Sequence, residues 1–217
     1  MCIIKWEKIG LTILCSPNNP TGSLLSRGDL IKLLESIEGL ILIDEAYAEF
    51  GSQNILDLIK QYSNLLILRT FSKAFGLASA RIGYLIGLEE IVSQIVKVIP
   101  PYNQNSFSEI IAIFILSHYS EIKRRIDEIC SERERIFKKI NGVSGWKAWP
   151  SEANFLLFEG PFSAKEIFSK LLKNGILVRD VSQYPLLESK LRVTVGAREE
   201  NDIFLNTITK MERYPIR

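Results

Sequence analysis

Four short, largely apolar runs dominate the first half of this chain: Leu11–Cys15, Leu40–Ile43, Leu65–Leu68 and Ile82–Gly87. A strand with one wet face alternates apolar and polar residues. A strand apolar throughout has to be covered on both faces. Between the runs lie helical patterns, such as Leu30, Leu33, Leu34 and Ile37 on one face, with Ser26 and Asp29 placed as a capping box ahead of them. Strand and helix in alternation predict an α/β domain with a mostly parallel sheet and helices on both faces.

In such sheets ligands bind beyond the carboxyl ends of the strands. Polar residues follow three of these runs. Ser16-Pro17-Asn18-Asn19-Pro20-Thr21-Gly22 follows the first, Asp44-Glu45-Ala46-Tyr47 the second, and Arg69-Thr70-Phe71-Ser72-Lys73-Ala74-Phe75-Gly76 the third, with Arg81 eight residues past Lys73. The predicted topology draws Asn19, Asp44 and Lys73 toward one crevice.

The second half reads differently. Pro100-Pro101 marks a break, and a helical pattern runs from about Phe107 to Ile140. Strands are expected at Phe155–Phe158, Ile176–Arg179 and Leu191–Val195. Between them lies a helix that Gly175 can end, and Ile203–Ile208 falls in a closing helix. The expected division is residues 1–102, part of a larger domain, and 103–217, a small α+β domain.

Composition excludes some classes. The net charge of +2 comes without a basic run, so no nucleic-acid groove is expected. Lys123-Arg124-Arg125 alternates with Ile122, Ile126 and Ile129 and reads as the wet face of a helix. No apolar run reaches membrane-spanning length, and the first residues lack a signal-peptide pattern. Cys2, Cys15 and Cys130 are odd in number and far apart, which suggests free thiols in a reducing cytoplasm. Cys15 ends an apolar run and is expected in the core. His118 is the single histidine, and no Cys/His cluster suggests a metal site.

The strand-end residues supply an amine, a carboxylate, a phenol, a side-chain amide and a cation with hydroxyls. Pyridoxal 5′-phosphate calls for that set: its aldehyde takes a lysine as a Schiff base, its ring nitrogen a carboxylate, its phosphate hydroxyls and arginine. Lys73 is the candidate amine and proton carrier. Asp44 is the candidate partner of the ring nitrogen, since strand alternation turns the neighbouring Glu45 to the opposite side. At an effective dielectric near 20, a contact pair about 4 Å apart gains about 4 kcal/mol before desolvation. Asn19 and Tyr47 suit the phenolic oxygen, and Thr70, Ser72 and Arg81 the phosphate. Each alone also fits an ordinary turn or surface role; the combination carries the reading. Arg179 and Arg192 each interrupt an apolar strand and need an anionic partner, either a carboxylate such as Asp180 or Glu188 or the anion of a substrate.

These residues, with Ser151-Glu152-Ala153-Asn154-Phe155 and Leu191-Arg192-Val193-Thr194-Val195-Gly196-Ala197-Arg198-Glu199-Glu200, give the chain a resemblance. It resembles the fold-type I pyridoxal-phosphate-dependent aminotransferases, with Gly175–Asp180 and Leu191–Glu200 favouring the histidinol-phosphate branch. The resemblance implies Lys73 as the Schiff-base lysine, Asp44 on the pyridinium, Asn19 and Tyr47 on the phenolic oxygen, and Thr70, Ser72 and Arg81 on the phosphate. Arg192 would take a substrate carboxylate, Arg179 and Arg192 a substrate phosphate, and Asn154 would lie near the substrate. It further implies amino transfer between glutamate or 2-oxoglutarate and histidinol phosphate or its ketone, in a homodimer. A threonine-phosphate decarboxylase-like lyase and a non-catalytic assembly module are the alternatives. The family has a long part ahead of the Asn-Pro-Thr-Gly block, whereas eighteen residues precede Asn19 here. The chain is therefore expected to be truncated at its N-terminus, and to associate with itself or with a missing partner chain.

Overall fold

A computed structural model describes residues 9–212. Cys2 lies outside them. The described residues divide into two compact units: one holds residues 9–18 together with Leu24–Arg124, the other Asn19–Ser23 and residues 125–212. The division between Arg124 and Arg125 falls inside a helix.

The first unit is built on a four-stranded sheet in the order β1 (Leu11–Cys15), β2 (Leu40–Asp44), β3 (Leu65–Thr70), β4 (Gly83–Ile86). The first three strands are parallel, and β4 runs antiparallel to β3. Helix α1 (Arg27–Ser36) crosses over between β1 and β2. Ser26 begins it: its Oγ accepts from the Asp29 amide at 3.1 Å and donates to the Asp29 carboxylate at 2.7 Å. The expected capping box is half formed, because Asp29 returns to the Ser26 hydroxyl and not to its backbone. Leu30 and Leu34 of α1 pack with Ile41, Ile43, Leu65, Ile67 and Leu58 in one buried cluster. On the other face of the sheet Leu66 is buried, while Leu11 and Ile13 of β1 are exposed. Helices α2 (Glu89–Val96) and α3 (Ser106–Ser117) follow. Phe107, Ile110, Ile113 and Phe114 of α3 are exposed, so its apolar pattern does not mark a buried face within this chain.

Helix α4 (Tyr119–Asn141) buries Ile122, Ile126, Ile136 and Ile140 and exposes Lys123, Arg124 and Arg125, as the 3.6-residue period requires. The second unit carries an antiparallel sheet in the order β5 (Lys147–Ala148), β6 (Phe155–Glu159), β8 (Leu191–Thr194), β7 (Arg179–Asp180). Helices α5 (Ala164–Lys173) and α6 (Arg198–Glu212) share its core, in which Ile136, Phe158, Ile167, Leu171, Phe204 and Ile208 are buried. Helix α5 has both end signals. Ser163 and Glu166 form a reciprocal capping box. At the other end Gly175, at φ +75°, lets the Ile176 and Gly175 amides reach back to the Leu171 and Leu172 carbonyls. The strand expected at Ile176–Arg179 instead covers only Arg179–Asp180. Ile176 is held by that helix-ending turn, and so cannot enter the ladder.

Candidate active site

Parallel pairing sets Asp44 beside Cys15 at the ends of β2 and β1, and Leu68 beside Asp44 on the other flank. Asp44 is held by one donor on each oxygen. The Ala46 amide donates to Oδ1 at 3.0 Å, and the Cys15 thiol approaches Oδ2 at 3.9 Å. Cys15 is exposed and is not a core residue, a correction to the sequence expectation. The cause is β1's position at the sheet edge, which leaves the Leu11–Ile13–Cys15 face uncovered. Partial burial, then the Asp44 charge and hydrogen bond, raise the Cys15 thiol above its ordinary value.

One cavity of about 400 Å3 gathers Asp44, Thr70, Ser72, Lys73 and Arg81, with Ala46 and Gly83 in its wall. Thr70 ends β3. Its hydroxyl donates to the Ile82 carbonyl at 3.2 Å and accepts from the Ser72 amide at 3.1 Å, which folds the turn leading to Lys73. Lys73 is exposed, and its Nζ lies 5.3 Å from the centroid of the Tyr47 ring. Tyr47 is buried and begins a short 3-10 turn, Ala48–Phe50. Arg81 sits in the left-handed region at φ 56° and ψ 40°, a conformation that costs a non-glycine residue about 1–3 kcal/mol. Gly83 is required where it stands: a Cβ there would lie 2.9 Å from the Arg69 carbonyl oxygen.

Glu45 does point away from Asp44, as alternation predicts, and finds a partner the sequence reading passed over. Arg69 Nε and Nη2 both bind Glu45 Oε2, at 2.8 and 2.7 Å. The pair is largely buried, with side chains 16% and 5% exposed. Burial opposes the Arg69 charge, but the hydrogen bonds and charge of Glu45 outweigh it and raise the guanidinium above its usual value. Burial likewise raises the Glu45 carboxyl, with Arg69 pulling against it. Glu49 lies within range of both charges. Its Oε2 is buried without a hydrogen-bond partner among the described residues, and burial raises its carboxyl. The sequence signal for the Arg69–Glu45 pair was one of register: both residues sit one position from a cavity residue on adjoining strands.

The second unit holds the remaining candidates. Arg192 Nη1 donates to Asn19 Oδ1 at 2.5 Å, and its guanidinium stacks 4.8 Å from the Phe155 ring centroid. Arg179 faces Arg192 in the β7–β8 register, is exposed, and makes no ion pair among the described residues. Neither structural carboxylate considered for these arginines serves them. Asp180 Oδ1 accepts from the Ser182 amide and Glu188 Oε1 from the Leu186 amide. Asn154 is half-buried, and its carbonyl accepts from the Val195 amide at 2.9 Å.

A family model described as aminotransferase class I and II matches residues 4–208. The chain belongs to this family. Among its curated relatives is the histidinol-phosphate aminotransferase of Thermoanaerobacter pseudethanolicus. It is 43% identical over 209 residues, which are 96% of this chain and 59% of that protein. The Pyrococcus furiosus histidinol-phosphate aminotransferase is 44% identical over 195 residues, 90% of this chain and 54% of its own. The chain thus spans somewhat over half the length of these relatives. Among solved structures, the histidinol-phosphate aminotransferase of Clostridium acetobutylicum superposes with a TM-score of 0.88 at 30% identity, covering 94% of this chain and 64% of that one. The L-threonine-O-3-phosphate decarboxylase of Porphyromonas gingivalis does so at 0.85 and 25% identity, covering 98% and 67%. The fold is therefore that of the fold-type I transferases.

Proposed function

We propose that this chain supplies the lysine-bearing part of a pyridoxal 5′-phosphate-dependent aminotransferase of the histidinol-phosphate branch. One observation carries the reading: an amine, a carboxylate, two hydroxyls and a guanidinium, from Lys73, Asp44, Thr70, Ser72 and Arg81, line a single cavity. That donor set fits the cofactor. Arg81 with Thr70 and Ser72 would hold the phosphate, Asp44 the ring nitrogen and Tyr47 the phenolic oxygen. When bound, the cofactor supplies an electrophilic carbon and a ring that accepts an electron pair.

The chain's own groups do the rest. Lys73 Nζ would take the proton from the substrate α-carbon and hold it for redelivery. The aromatic ring of Tyr47 beside Lys73 confines that amine on one side. Asp44, braced at both oxygens, keeps its charge in one place. Asn19 gives its carbonyl to Arg192, so its amide N–H groups remain to donate to the phenolic oxygen. Arg192, oriented by Asn19 and Phe155, suits a substrate carboxylate, and with the exposed Arg179 a substrate phosphate. Asn154 is carried as a substrate contact. Residues 1–102 would form the cofactor-domain portion and 103–217 the small domain. The enzyme would act on glutamate or 2-oxoglutarate and histidinol phosphate or its ketone, as a homodimer or with a partner chain, in the cytoplasm. The names of the curated relatives support the substrate.

Borohydride reduction after incubation with pyridoxal 5′-phosphate tests the core of this. The tag is expected on the peptide carrying Lys73 and absent in Lys73→Ala; a tag on another lysine, or none, overturns it. The likeness to the threonine-phosphate decarboxylase supports a second reading, in which the same residues serve a lyase. Carbon dioxide released from threonine phosphate, without amino transfer from glutamate, would favour it.

A further inference from the structure

Glu45 stands one residue from Asp44 and Arg69 one residue from Thr70, and both of those neighbours line the cavity. Glu45 follows Asp44, the last residue of β2, and Arg69 precedes Thr70, the last residue of β3. Their side chains meet with two guanidinium nitrogens on one carboxylate oxygen, and Arg69 also lines the cavity beside Thr70. The same guanidinium lies opposite Tyr84 of β4 in register and within range of the Glu49 charge on the turn that carries Tyr47. We infer that Arg69, through its fork on Glu45, is a positioning residue that clamps the ends of β2 and β3 and so fixes Asp44 and Thr70 in the cavity. The inference rests on the cofactor reading above for its purpose, but its geometry is a property of the chain alone.

The clamp follows from energetics. Strand ends are where a ladder frays, because hydrogen bonds there have neighbours on one side only. A buried ion pair, once made, is costly to break, since the remaining charge is left desolvated. The fork matters as well as the charge: two nitrogens on one oxygen fix an angle that a lysine ammonium does not.

Cys15 is a reporter that needs no cofactor. Its Sγ lies 3.9 Å from Asp44 Oδ2, so its titration senses where that carboxylate is. The experiment follows alkylation of the Cys15 peptide against pH by mass spectrometry in the cofactor-free chain, for wild type, Asp44→Asn, Arg69→Met and Arg69→Lys. Both Arg69 variants are expected to move the Cys15 profile toward that of Asp44→Asn, while Cys130, in the other unit, keeps its rate. Affinity for added pyridoxal 5′-phosphate should fall about tenfold, equivalent to about 1.4 kcal/mol. Arg69→Lys decides the case if Arg69→Met fails to fold. It keeps the charge, so a role in charge balance alone would leave its thiol profile and affinity at wild-type values, and that result overturns the inference. A wild-type chain that takes no cofactor sinks the functional reading, while the thiol profiles still decide the clamp.

Discussion

At Gly22 the backbone has φ +74°, and a Cβ would stand 2.2 Å from Ser151 Oγ. The Gly22 carbonyl also accepts from the Glu152 amide at 2.8 Å. The Asn19–Ser23 segment is thereby seated on the second unit, to which Asn19 and Arg192 both belong. Gly22→Ala adds left-handed strain to a collision with a buried side chain, together about 2–3 kcal/mol. A thermal melt is expected to show that loss, and Gly22→Ala/Ser151→Gly should recover the part due to the collision. No recovery in the double variant would place the whole cost in the backbone. Gly175 is the counter-case: it has a similar φ, but nothing lies within 4 Å of its missing Cβ. Gly175→Ala should cost only the strain, about 1 kcal/mol.

Elements were legible where local chemistry determines them. Helix α5 announced its stop at Gly175 and ends there, while the Ser163–Glu166 box that starts it emerged only with the structure. Ser163→Ala removes an oxygen that accepts from the Glu166 amide, and should lower stability by about 1 kcal/mol in denaturant unfolding. An unchanged midpoint would mean the box is not holding the helix. The continuous apolar runs foretold the parallel core of β1, β2 and β3, and because a parallel sheet sends all its carboxyl ends one way, Asp44 and Lys73 line one cavity, whereas Asn19, expected with them, falls in the second unit. What stayed hidden depended on partners distant in sequence. The exposure of Cys15 follows from β1 being at the sheet edge, which no property of Leu11–Cys15 reveals. Arg69 and Glu45, 24 positions apart, pair only once the register of β2 and β3 is known. The apolar face of α3 reads in sequence like any buried helix, and only coordinates show Phe107 and Ile113 exposed.

Over the whole molecule, stability against pH is a contest between two kinds of carboxyl. Hydrogen bonds from Ser26 and Lys32 hold Asp29 below its ordinary value, as Arg27 does Asp57, Arg135 does Glu132 and Ser163 does Glu166. A group lowered by folding adds stability above its unfolded value, near 4, and loses it as pH falls through the folded one. Both units therefore weaken in acid. Glu49 acts in the opposite sense. Burial raises its carboxyl, so the folded chain holds that proton more tightly than the unfolded chain does. Its contribution is complete below the unfolded value and is lost as pH rises through the folded one. At neutral pH Glu49 is then a burden, an unpaired buried oxygen beside the Glu45 charge. Glu49→Gln keeps the shape and cannot ionise. Denaturant unfolding at a series of pH values should find the variant more stable than wild type in neutral and alkaline solution, with the gap narrowing toward acid as Glu49 takes its proton. A difference constant across pH would mean that Glu49 ionises as readily folded as unfolded, and that Arg69 serves both carboxylates equally.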